Sequence, residues 1–305
     1  MASFKTTLRQ YCAVTVTYFL LVVFLPANHV ALQDYHLTSV SYHLLLLLIV
    51  LPLALIWFGA FYSYARLHQY TSSIKGSPEA GDLTHMTRGF VWLAWGSPLI
   101  AITTIILNTI ADSHSGFRGA AVIIANYASL VILLVALSAV SAGTRSLNQR
   151  TKVVIGPGGA KTLILFFMIT GVTYCFVTFR HVDLQNLSST NNPFYLPVWL
   201  VITTLVVPSM YTWFIGLLAA YEMYLYSRQV AGLLYKRAMR LLSFGVISVI
   251  ASSIVVQYFH AIAPRRGHLT LGVIIVIVNL IYLFMATGYI MLSLGASQLR
   301  KIEEV

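Results

Sequence analysis

Seven of the chain's nine histidines cluster on one side of the topology derived below. His29, His36, His114, His181 and His268 sit in or beside the connecting segments of that side, and His43 and His260 lie near apolar segment ends facing it. Only His68 and His85 fall on the other side. A neutral imidazole ligates metal ions and haem iron, and Asp34, Asp112 and Asp183 are placed to complete a nitrogen and oxygen shell. The metal-site candidates are therefore His29 with His181, which recur at matching places in the two halves, and His43 with His260, which can face one another across a bundle. No H-x3-H or HExxH spacing accompanies them. No cofactor is predicted; haem or a metal ion stays an alternative to ordinary interfacial histidine.

Other chemistry finds less support. Asp112-Ser113-His114-Ser115 offers adjacent residues in one loop, whereas nucleophilic hydrolysis needs a triad assembled in space. Ile155 to Thr162 is glycine-rich and ends in Lys161-Thr162, but it departs from a phosphate loop: the spacing is one residue short, Ala160 takes the second glycine position, and no strand precedes it. Two cysteines, Cys12 and Cys175, cannot build a disulfide framework or a thiolate metal site. No catalytic residues are assigned, and nothing in the motifs marks an enzyme.

What must position any site is a set of membrane helices. With 58% hydrophobic and 9% charged residues, the chain falls far below the roughly one quarter of charged residues in soluble domains. A hydrocarbon core about 30 Å thick takes about 20 apolar residues per helix. Eight segments qualify, at 11–27, 40–64, 89–110, 119–142, 162–179, 195–223, 241–260 and 271–294. With the N-terminus in the cytoplasm, 15 of the 19 basic residues fall on the cytoplasmic side, and only Arg118, Arg180, Arg265 and Arg266 fall outside. Both termini are expected to be cytoplasmic, in a plasma or inner membrane. The net charge of +11 is thereby a topological signal rather than a sign of a nucleic-acid partner.

The chain also repeats itself. Val16-Thr17-Tyr18 returns as Val172-Thr173-Tyr174, and Pro52 with Trp57-Phe58 returns as Pro208 with Trp213-Phe214, both 156 residues on. His29 to Asp34 matches His181 to Asn186 at 152; Arg88 and Gly96 match Arg237 and Gly245 at 149; Ser141, Gly143 and Leu147 match Ser293, Gly295 and Leu299 at 152. The expectation is an all-α polytopic membrane protein of two parallel four-helix repeats, 1–150 and 151–305, related by a pseudo-two-fold axis along the membrane normal. Because the first segment matches the fifth, it is expected to be retained rather than cleaved as a signal.

Matching prolines inside membrane segments open backbone carbonyls, and such paired interruptions point to a central binding site in repeat-built transporters. The expected substrate pathway takes Pro52, Trp57, Phe58, Pro208, Trp213 and Phe214, with Asn108, Asn126, Gln257 and Asn279 as uncharged polar lining. Such polar groups also serve as hydrogen-bond glue between helices. No Asp, Lys or Arg falls near the centre of a segment, which disfavours proton coupling or charge gating. Arg145, Arg150, Lys152 and Lys161 form an acid-free run that suits anionic lipid phosphates. Asn186-Leu187-Ser188 is a glycosylation sequon if the protein is eukaryotic. The function read from these residues is permeation of an uncharged or amphipathic small molecule between the repeats. The alternatives are a non-transporting receptor or assembly subunit, as a homo-oligomer or with a partner chain, and a haem- or metal-binding membrane protein.

Overall fold

A computed structural model describes residues 4–24, 39–113, 118–150, 157–181, 206–230, 232–262 and 271–301. The described residues form eight α-helices and no strand: α1 (Phe4–Phe24), α2 (Ser39–Ser73), α3 (Ala80–Ser113), α4 (Arg118–Arg150), α5 (Pro157–His181), α6 (Val207–Gln229), α7 (Leu233–Ile262) and α8 (Leu271–Lys301). Long runs of Leu, Ile, Val and Ala supply the helical propensity. In an apolar medium the helix also satisfies every interior backbone group within its own segment. Between α2 and α3 the chain turns at Gly76, whose φ of 100° lies in the left-handed region open to glycine. Ser77 N–H donates to Ile74 O at 2.9 Å in that turn, and the Thr71 and Thr87 hydroxyls meet at 3.0 Å just behind it.

Six helices close into a ring in the order α2, α3, α4, α6, α7, α8 and back to α2. The two remaining helices lie outside it, α1 against α2 and α3, and α5 against α6 and α7. The tightest crossings are α3 on α4 and α7 on α8, and each is permitted by glycine. A Cβ at Gly89 would stand 2.6 Å from Ala136 O, and one at Gly245 would stand 2.9 Å from Gly288 O. Missing side chains let the backbones come within reach of one another, the usual device where hydrophobic burial cannot drive association. These contacts run through Ala136, Val140 and Gly143 of α4.

Outward faces are apolar. Tyr127, Val131 and Val135 on α4, Val276, Leu280, Leu283, Ile290 and Leu294 on α8, and Ile164, Leu165, Phe166, Met168, Ile169 and Val172 on α5 are all exposed. Apolar patches of that extent are foreign to the surface of a soluble monomer and ordinary against lipid. Among the described residues three helical stretches, Tyr127–Arg150, Leu233–Tyr258 and Val276–Lys301, are long and apolar enough to cross a membrane. The inward faces are packed: Trp57, Trp213, Phe61, Phe90 and Met223 are all essentially inaccessible.

Candidate functional site

Two aromatic clusters hold the tryptophans singled out above, one in each half of the chain. In the first, Trp57 Nε1–H on α2 donates to Ser97 Oγ on α3 at 3.1 Å, and the Tyr18 ring of α1 meets the indole edge-on at 4.9 Å and 82°. In the second, Trp213 Nε1–H on α6 donates to Ser253 Oγ on α7 at 3.4 Å, and the Tyr174 ring of α5 meets that indole at 5.1 Å and 66°. A buried indole N–H needs an acceptor, and a serine on the neighbouring helix provides it. Both indoles are essentially inaccessible, so each cluster joins an outer helix to two helices of the ring.

The clusters differ in their remaining polar groups. Tyr174 Oη donates to Gln257 Oε1 at 3.4 Å, and the Tyr258 hydroxyl meets Thr173 Oγ1 at 2.6 Å and donates to Thr170 O at 3.2 Å. Beside Ser97 stands Pro98, inside α3, which cannot donate to the carbonyl of Ala94. Unlike Pro52, Pro98 has no proline 156 residues on, where Ile254 stands. Pro52 lies inside α2, whereas Pro208 occupies the first turn of α6 as described, a position where proline is well tolerated.

Phe58 and Phe214 turn toward the outer helices, Phe58 against Tyr11 at 5.3 Å and Phe214 against Phe167 at 5.3 Å. Gln257 is buried within the second cluster, and Asn279 is exposed on α8. The side chains of Asn108, Asn126, His43, His181 and His260, and the whole of His29 and Lys152, lie outside the described residues. Among the described residues no three His, Cys, Asp or Glu side chains group as a metal site.

A third region emerges at the C-terminal end of α4, the cytoplasmic end in the expected topology. Asp82, in the first turn of α3, is buried; Arg150 Nε lies 2.7 Å from its Oδ2 and Ser146 Oγ–H donates to its Oδ1 at 2.6 Å. Glu222 of α6 is also buried, with Arg145 Nε 3.4 Å from Oε1, and with the Ser141 and Thr144 hydroxyls at 3.4 and 3.5 Å from Oε2. Asn148 Nδ2–H reaches the Glu222 backbone carbonyl at 3.1 Å. Five side chains within the ten-residue stretch Ser141 to Arg150 of α4 thus engage two carboxylates carried by different helices, one in each half of the chain.

Sequence reasoning assigned Arg145 and Arg150 to lipid phosphates; here each faces a protein carboxylate, while Lys161 is exposed. It gave Asp82 no role. The available signal was the scarcity of acids, since any acid within an apolar helical chain needs a partner. Near the same end His68 stacks on Tyr64; burial holds its imidazole below the usual histidine range.

No protein-family model matches the chain, and no curated protein or solved structure shows significant similarity to it.

Proposed function

We propose that the chain is an eight-span membrane protein of two parallel four-helix repeats, residues 1–150 and 151–305, with both termini cytoplasmic, that passes an uncharged or amphipathic small molecule along the interface between the repeats. The observation that carries this reading is the pair of aromatic clusters. Tyr18, Trp57 and Ser97 each stand 156 residues before Tyr174, Trp213 and Ser253, and each set makes the same ring and hydrogen-bond contacts.

Helix neighbours repeat in the same sense. The contact of α4 with α6 has its counterpart in that of α8 with α2. The glycine crossings support an interval of 156 between the third and seventh helices, pairing Gly89 with Gly245 in place of the 149 that pairs Gly96 with it; 152 is kept for Gly143 and Gly295. Parallel repeats of this kind are a transporter architecture.

The test uses the purified full chain in vesicles. Glycerol, erythritol and glucose entry is followed by light scattering, and inward movement of a fluorescent phosphatidylcholine by dithionite quenching. At least one rate should exceed that of protein-free vesicles and should change when Pro52 and Pro208 are both replaced by Ala. Protein-free rates for every probe, from protein that circular dichroism shows to be folded, would overturn the proposal.

One observation favours a second reading, a non-transporting receptor or assembly subunit: the inward faces of the ring are filled by large inaccessible side chains. Recovery of a stoichiometric partner together with protein-free rates would select it. A Soret band or a stoichiometric metal in the purified protein would instead select the haem- or metal-binding alternative.

A further inference from the structure

We infer that the start of α7 is a docking site for an anionic phospholipid, with Arg240 and Lys236 taking the headgroup phosphate and Phe244 and Ile247 lying along an acyl chain. Lys236, Arg240, Phe244 and Ile247 are spaced by four, four and three residues, which sets them on one stripe of the helix. The stripe faces away from α8: Ala238, Leu242, Gly245 and Val249, on the opposite side, are the residues that meet Gly288, Leu292 and Gly295. Phe244 and Ile247 are 50% and 40% exposed, and Lys236 and Arg240 are partly exposed. Cations and exposed apolar side chains therefore follow one another within about a turn, roughly 5 to 6 Å along the axis, in the order in which a phospholipid presents phosphate and hydrocarbon.

Arg240 carries the argument. Its Nε–H is buried and finds no acceptor among the described residues, and the ion pairs among those residues belong to Arg145 and Arg150. A buried donor without an acceptor is costly, and the planar guanidinium fork is shaped for phosphate oxygens. The matching helix of the first half shows that the fold does not need these cations. Ala80, Gly81 and Thr84 of α3 stand 156 residues before Lys236, Arg237 and Arg240, and the Thr84 hydroxyl closes on its own helix by donating to Ala80 O at 2.7 Å. Asp82, in the first turn of α3, has Ala238 as its counterpart, and the first turn of α7 holds no acid. The unopposed charge is thus particular to α7. A lipid is the occupant because the stripe bearing the cations runs directly into lipid-facing Phe244 and Ile247. The site requires only that α7 lies in a membrane, as its length and apolarity allow, and does not depend on whether the chain transports anything.

The purified full chain in neutral detergent is titrated with phosphatidylglycerol, phosphatidylcholine and inorganic phosphate. Bound lipid is counted by native mass spectrometry, and stabilisation is followed by the thermal transition. Phosphatidylglycerol should bind more tightly than phosphatidylcholine, and R240Q and K236Q should each weaken it about fivefold, the worth of one cation near an anionic surface. R88Q removes the same charge at an exposed arginine of α3 and should leave binding unchanged. Parent-like binding by both α7 variants, or by K236Q alone should R240Q fail to fold, overturns the inference. So does an equal loss from R88Q, which would mark a general attraction to a positive face, or equal affinity for the two lipids. Stabilisation by inorganic phosphate as large as that by phosphatidylglycerol would assign the site to a free ion and overturn the lipid.

Discussion

Among the described residues, the first half of the chain meets the second chiefly where α4 packs on α6 and where α8 packs on α2, and these two contacts balance charge in opposite ways. Where α4 meets α6, the acid is internal: Glu222 is buried and receives Arg145 and two hydroxyls from the facing helix. Where α8 meets α2, the position 156 residues before Glu222 is Arg66. The central contact there is neutral, with Ser63 and Ser293 hydroxyls 2.8 Å apart and both donating to Gly59 O. One contact carries its own counter-ion, and the other gathers cations around a neutral amide. Equal helix packing at the two places thus leaves unequal electrostatics. The first has its anion built in, while at the second the Arg66 and Arg300 guanidiniums both hydrogen-bond the neutral Gln69 oxygen.

This contrast is sharpened most by the ion pairs on α4. Arg150→Gln strands the buried Asp82 carboxylate and should cost about 3 kcal/mol. Asp82→Asn leaves an arginine already 46% exposed, free to turn into water, and should cost about 1 kcal/mol. Reversible denaturant unfolding in mixed micelles measures both, and a reversed order would break the argument. Arg145→Gln should cost about 2 kcal/mol, less than Arg150→Gln because its pair is longer, 3.4 Å against 2.7 Å. Ser293→Ala should lose about 1 kcal/mol with its bond to Gly59 O, and Ser141→Ala distinctly less, since its hydroxyl is 3.4 Å from Glu222. Smallest of all, Arg66→Gln in lipid-free micelles should stay within about 0.5 kcal/mol of the parent, as for a surface change that strands no buried charge. A loss as large as that from Arg145→Gln would erase the distinction between the two contacts.

The helices were readable because a run of apolar residues is both a hydropathy signal and a helical one. All eight apolar segments overlap helices. The C-terminal ends of α2 and α4 were not readable to the same depth. Helix α2 continues from the segment ending at 64 to Ser73, and α4 from 142 to Arg150. Hydropathy measures fit to hydrocarbon, whereas these extensions are held by packing, through buried Leu67, Tyr70 and Leu147 and the polar contacts of Asn148. The charged contacts sit in those extensions. In the sequence their arginines look like loop charge with no acid nearby, because Asp82 and Glu222 lie 68 and 77 positions from Arg150 and Arg145. Trp57 and Trp213 were legible as a repeated pair, but their serine acceptors, 40 residues on in each case, were not. Serine is too common for its spacing to stand out, and only the crossing of helices selects which one meets the indole.

The Ser63 and Ser293 contact has a consequence for biosynthesis. Its partners are 230 residues apart, so at about 5 to 20 residues per second the face of α2 that ends against α8 waits on the order of 10 to 50 s after translation before its mate exists. During that interval Gly59 O accepts only from its own helix, from the Ser63 backbone N–H and the Ser63 hydroxyl. The short-range hydroxyl bond therefore acts as a placeholder, occupying the carbonyl until the last helix arrives to share it.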